Sequence, residues 1–153
     1  MFQHILVPLD GSPLAEAALA PALALADKFG SKITLLRVAA QPYLPTDGLS
    51  ASYAELISGL REQALADARA YLSSQQGSLR QQGYNIQAQV TELEPVAEAI
   101  LDVAAADKVD TIVMSTHGRG GITRWVYGSV ADRVLRHAHV PVLLVRPERQ
   151  HTA

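Results

Sequence analysis

Cysteine is absent from all 153 residues. That excludes disulfides, thiolate catalysis and cysteine-ligated zinc, and it fits a reducing compartment. An excess of charge of either sign is also lacking: 13 Lys and Arg stand against 15 Asp and Glu, a formal net charge of −2. No basic field exists for nucleic acid or an anionic lipid surface, so neither partner is expected, while a small anion held by local dipoles stays open. Long apolar runs are missing too. The opening stretch from Phe2 to Asp10 has no charged leader and no extended hydrophobic segment, so no signal peptide or membrane helix is expected, and the default location is the cytoplasm. The chain also carries no P-loop lysine motif, no distinct nucleophile–base pair and no internal repeat.

What is present is enough for one core. A hydrophobic content of 48% with 18% charged residues, at this length, predicts a single domain. Ile5, Leu6 and Val7 read as a buried strand that ends in Pro8, Leu9, Asp10, Gly11 and Ser12. Ser12 suits an N-cap, Pro13 the first helical position and Gly30 the exit, which predicts one helix from Pro13 to Phe29, bent at Pro21. Lys32 to Ala39 reads as a second strand, and Gln41 to Ser50, with two prolines and Asp47-Gly48, as a mobile loop. From about Ala51, the apolar positions Tyr53, Leu56, Ile57, Leu60, Ala64, Ala68, Tyr71 and Leu72 recur at helical spacing, with fraying expected at Gly77 and a solvated end over residues 73–82.

Tyr84 to Val90 alternates like a strand. Pro95 opens a helix in which Val96, Ile100 and Val103 share a face, and Lys108 near its end suits the helix dipole. A buried strand over 110–116, a helix over about 129–138 and a final strand Val140–Val145 complete the series. Strands alternating with helices predict an α/β fold, a single doubly wound five-stranded parallel sheet sandwiched by helices. Ligands of such sheets bind outside the carboxyl ends of the strands where chain order reverses, so Pro8–Ser12, Val38–Ala40 and Ser115–Gly121 should converge.

The segment from Ser115 to Ser129 is the richest in chemistry. It joins a strand to a helix through glycines and hydroxyls, where backbone N–H groups can gather around a phosphate, so a nucleotide is the first ligand to consider. The bland alternative is an ordinary connection whose glycines only make turns. Asp10 reads either as a turn-former beside Gly11 or as a ligand residue at a strand's carboxyl end. His117, with no identifiable partner, reads as structural or ligand-contacting and not as catalytic. Arg119 and Arg124 either reach a phosphate tail or are solvated charges, and Trp125 and Tyr127 read as apolar anchors of the loop. His137 and His139 at a helix end are too weak a cluster to imply a metal.

These residues, taken together, resemble the universal stress protein family along nearly the whole chain. The markers are Ile5 to Ser12, the Val113-Met-Ser-Thr-His-Gly-Arg-Gly-Gly121 run, Gly128 to Leu135 and Val140 to Val145. The ATP-binding branch of that family carries Gly-x2-Gly-x9-Gly followed by Ser or Thr. Here Gly118-x9-Gly128-Ser129 matches, with Ser115 at the first glycine position; Leu93 stands where many members have glycine. The resemblance implies a Rossmann-like, adenine nucleotide α-hydrolase-like fold, with the domain over 1–147 and a tail over 148–153. It places Pro8, Leu9 and Asp10 near the ribose and adenine, and Val38 offering backbone hydrogen bonds to adenine. Ser115, His117, Gly118, Arg119, Gly128, Ser129 and Val130 would surround the phosphates of ATP, with Mg²⁺ as the shielding ion. It further implies a homodimer through Val140–Val145, whose apolar strand and Pro141 suit a sheet edge. The function so implied is a nucleotide-dependent stress-response or signalling module; the alternatives are a weak ATPase and a dimeric stress protein without nucleotide.

Overall fold

Ile5, Leu6 and Val7 are completely buried, and they divide between two cores according to the two-residue period of a strand. The computed structural model describes residues 1–39, 51–116 and 128–147. Ten elements follow in order: β1 (His4–Pro8), α1 (Pro13–Glu16), α2 (Leu19–Phe29), β2 (Lys32–Val38), α3 (Ala51–Gln81), β3 (Ile86–Thr91), α4 (Val96–Ala106), β4 (Thr111–Ser115), α5 (Ser129–His137) and β5 (Val142–Val145). The strands form one five-stranded sheet of order β3-β2-β1-β4-β5, parallel throughout, as the alternation of elements predicts.

On one face of the sheet Ile5, Val7, Ile33, Leu35 and Val113 pack against the alanines of α1 and α2 and against Leu72 and Leu79 of α3. On the other, Leu6, Leu36, Ile112 and Met114 pack against Ile100 and Val103 of α4 and Val134 of α5. Burial of each such aliphatic side chain contributes roughly 1.5–3 kcal/mol against the entropy of ordering the chain. The sheet is therefore held from both sides, and its strand ends are rigid places to mount a site.

Several local expectations hold. Ser12 caps α1 by accepting the Ala15 N–H at 3.2 Å, Pro13 is the first helical residue, and Gly30 ends α2 in the left-handed region. The single bent helix expected over Pro13–Phe29 is instead two. α1 stops after Glu16, and α2 restarts at Leu19, which puts Pro21 in a first turn whose N–H groups have no intrahelical acceptor anyway. Breaking the helix satisfies proline better than bending it.

The fraying expected at Gly77 is also absent, because α3 runs unbroken to Gln81. Leu72 and Leu79 are buried on either side of Gly77, and the Gln76 Nε2 and Arg80 Nε groups both donate to the Ile86 carbonyl, at 3.0 and 2.9 Å. Tertiary contacts override the low helix propensity of one glycine. The first half of the expected apolar stripe stays out of the core, with Tyr53, Leu56 and Leu60 37%, 57% and 51% exposed. Lys108 lies beyond the last turn of α4, in the left-handed position that ends it. The last strand is shorter than expected, starting at Val142, and it forms one edge of the sheet. The expected mobile loop over 41–50 and tail over 148–153 lie outside the described residues.

Candidate functional site

The chain leaves β1 toward β2 and β3 on one side, and returns to β4 and β5 on the other, so order reverses between β1 and β4. A cleft of about 580 Å³ opens there, at the carboxyl ends of the strands. Pro8, Leu9 and Asp10 continue β1 into it, and Val38 and Ser115 end β2 and β4 beside it. Its far wall is the start of α5, from Gly128 through Val130. Three segments distant in sequence thus meet where the fold class places a ligand. A smaller groove of about 240 Å³ lies between α3 and β3, lined by Arg69, Ser73, Gln76 and Val90, away from the strand ends.

Local chemistry shapes each part. The Leu9 N–H bonds the Leu36 carbonyl at 2.8 Å, extending the ladder one residue beyond β1. Asp10 then makes a tight turn, its Oδ1 accepting the Ser12 N–H at 2.8 Å, and Gly11 takes φ +85°, a conformation that side chains rarely adopt. Asp10 itself is exposed. Ser115 is largely buried, and its hydroxyl makes a long 3.5 Å contact with the Thr116 carbonyl. At α5 the N-cap position is Gly128, which has no side chain to satisfy the first-turn amides. Those amides and the helix dipole favour an anion at that end. Ser129 is exposed beside them, while Val130 packs partly against the core. His117, Gly118 and Arg119 lie outside the described residues, as do Arg124, Trp125 and Tyr127.

The remaining walls are apolar: Leu36, Val96, Ile100 and Met114. Their roles as wall are invisible in a sequence, where they read only as core residues of a strand or helix face. Arg37 is the other residue that sequence reasoning missed. It lines the cleft, and its Nη1 occupies the space that a Cβ on Gly11 would need. The one available signal was its position, a charged side chain just before Val38 at a strand's carboxyl end.

Behind Arg37, the Tyr71 hydroxyl donates to Glu16 Oε1 at 2.7 Å. Burial, then this bond and the Glu16 charge, push the Tyr71 phenol well above its usual range, with Arg37 opposing. It is a fixed donor at neutral pH. Among the described residues no cluster of three or more His, Cys, Asp or Glu could hold a metal.

The sequence model of the universal stress protein family matches residues 1–146. The chain belongs to the universal stress protein family. A universal stress protein of Thermus aquaticus is 36% identical over 146 residues, covering 95% of this chain and all of that one. The crystal structure of a universal stress protein family member from Burkholderia pseudomallei is 32% identical, with a TM-score of 0.70 over 94% of this chain and 96% of that one. A universal stress protein from Archaeoglobus fulgidus, solved in complex with dAMP, shares the fold at a TM-score of 0.62 and 22% identity, over 94% and 98% of the two chains. The universal stress protein fold therefore accounts for the five parallel strands and the helices that flank them.

Proposed function

We propose that the cleft binds an adenine nucleotide, ATP with Mg²⁺ shielding its phosphates, and that this universal stress protein is a nucleotide-dependent stress-response or signalling module. The observation that carries the reading is the meeting of Asp10, Val38, Ser115 and the first turn of α5 around one cleft of about 580 Å³. That volume lies in the range of small-molecule sites. The apolar walls suit an adenine ring, the Asp10 carboxylate suits the ribose hydroxyls, and the amides of Ser129 and Val130 with the Ser129 hydroxyl suit phosphate. The dAMP complex of the Archaeoglobus fulgidus relative supports the same ligand class. Asp10 is the only carboxylate among the described lining residues, so Mg²⁺ would be carried chiefly by phosphate oxygens. His117, Gly118 and Arg119 enter this reading through the family motif alone. The proposal extends to a homodimer through the β5 edge, located in the cytoplasm, with residues 1–147 as the functional domain and 148–153 as a tail.

Calorimetry with ATP, with and without Mg²⁺, tests the reading. Binding is expected to be stronger with Mg²⁺, to weaken by on the order of 1 kcal/mol in Ser129→Ala, and to weaken further in Gly118→Val, where a side chain obstructs the backbone. A folded protein that ignores ATP, or a folded Gly118→Val variant whose ATP affinity equals that of wild type, rejects the phosphate assignment. A turnover assay on the ATP-bound protein then separates a binding module from a slow ATPase.

A further inference from the structure

Arg37 connects the cleft to the opposite face of the sheet. It is the penultimate residue of β2, and its guanidinium carbon lies 5.2 Å from the centroid of the Tyr71 ring. Its Nη1 also fills the space beside Gly11, so the one planar group touches both an aromatic face and the backbone of the Asp10–Ser12 turn. Tyr71 is itself fixed. Its hydroxyl donates to Glu16 Oε1 at 2.7 Å, and Gln75 Nε2 donates to the same oxygen at 3.2 Å, so α1 and α3 together set the ring's place. In the turn in front of the guanidinium the Ser12 N–H donates to Asp10 Oδ1 at 2.8 Å and Ser12 Oγ accepts the Ala15 N–H at 3.2 Å, and its aspartate is exposed. A turn of this kind, at the surface, opens readily unless something packs behind it.

We propose that Arg37 is a positioning residue: held on Tyr71, it props the Asp10–Ser12 turn from behind and so gives the cleft its preference for a ligand with free ribose hydroxyls. The proposal rests on the nucleotide reading for the ribose, but the prop itself exists without any ligand. The preference arises because a carboxylate takes two O–H donors well only when its plane and distance are set beforehand. The residue type follows from the geometry. A guanidinium is flat and can lie on a ring while its edge meets a backbone, whereas a lysine ammonium is a point charge with no plane to stack. Gly11 fits the same account, since any side chain there would displace the guanidinium.

The experiment has two arms. In the ligand-free protein, amide hydrogen exchange at Ser12 is measured by NMR in wild type and Arg37→Gln; exchange on the order of tenfold faster is expected, the size of one partly desolvated cation–π contact. In the second arm, affinities for ATP and for its analogue lacking both ribose hydroxyls are compared. Arg37→Gln should lower affinity for ATP about fivefold to tenfold more than it lowers affinity for the analogue. Tyr71→Leu, outside the cleft, should reproduce that loss, and Arg37→Lys, which keeps the charge and the stem and carries the test if Arg37→Gln does not fold, should restore only part of it. Unchanged Ser12 exchange overturns the proposal whatever the ligand. An equal loss for both nucleotides also overturns it, because Arg37 would then act on phosphate or on the fold. A wild-type protein that binds neither nucleotide refutes the nucleotide reading and the ribose preference with it, while Ser12 exchange still reports whether Arg37 holds the turn.

Discussion

Gly11 is a residue at which both the backbone and the surroundings resist a side chain. Its φ of +85° disfavours any side chain, and the Arg37 guanidinium occupies the space a Cβ would enter. Gly11→Ala is therefore expected to destabilise the fold by about 1–3 kcal/mol, most of it backbone strain because Arg37 can swing aside. Denaturant unfolding measures this, and a loss below about 0.5 kcal/mol would show that the turn relaxes into another conformation. At the opposite end of the sheet His4 makes a 2.8 Å hydrogen bond between its Nε2 and Thr34 Oγ1. Burial, and then the nearby Lys32 charge, hold its imidazole below the usual 6.5. The folded protein thus resists a proton that the unfolded chain accepts. The His4 contribution is fully present above about pH 6.5 and is lost as the pH falls below that value. His4→Gln, whose amide can still reach Thr34, should flatten the loss of stability on acidification to about pH 5, as read from unfolding midpoints. The same slope in both proteins would assign the acid sensitivity to other groups.

At the scale of elements, α3 offers the clearest separation of propensity from packing. Gly77 lies inside this 31-residue helix, and a Cβ there would meet nothing within 4 Å. Gly77→Ala is expected to stabilise the protein by roughly 0.5–1 kcal/mol and to raise the melting temperature by a few degrees. A lower melting temperature would mean that the helix needs local give at this position. The same helix shows where reading the sequence stops. Periodicity places Ala68, Tyr71 and Leu72 on one helical face, but it cannot say that Leu79 reaches the core while Leu56 and Leu60 remain outside, since that depends on where the sheet ends. Proline at position 21 signals an interruption of the helix without saying whether the chain bends or restarts. The signals at Ser12, Pro13 and Gly30 were readable because each satisfies a purely local backbone demand. In the site, Pro8 to Asp10, Val38 and Ser115 could be brought together from the alternation of strands and helices, whereas Gly128 to Val130 enter through the start of the last helix and the family motif. Arg37 could not, because its role depends on Tyr71, more than thirty residues away, standing behind the turn.

For the whole molecule the edge that β5 forms among the described residues sets the remaining question. β5 ladders to β4 in parallel, with Ile112 opposite Val142 and Ser115 opposite Val145. The Ile112 N–H bonds the Pro141 carbonyl at 3.0 Å and the Thr116 N–H bonds the Val145 carbonyl at 2.9 Å, so the odd-numbered residues of this strand turn their backbone groups toward β4. By the alternation of a ladder, Val142 and Leu144 point theirs away from the sheet. Leu143 is 41% exposed on the same strand. Such an edge invites a second strand, and a two-fold copy of itself running antiparallel would take up both the backbone groups and the apolar surface. Val142→Pro is therefore a selective test. It deletes an N–H that faces outward and leaves the bonds to β4 in place, so the monomer should stay folded by circular dichroism while the proposed dimer weakens by tenfold or more, about the effect of losing one interface hydrogen bond and crowding its neighbour. Light scattering at micromolar concentration reads the outcome. A wild-type monomer, or a folded Val142→Pro dimer of unchanged dissociation constant, would move the search for an assembly surface away from β5, to the exposed face of α3 that carries Tyr53, Leu56 and Leu60.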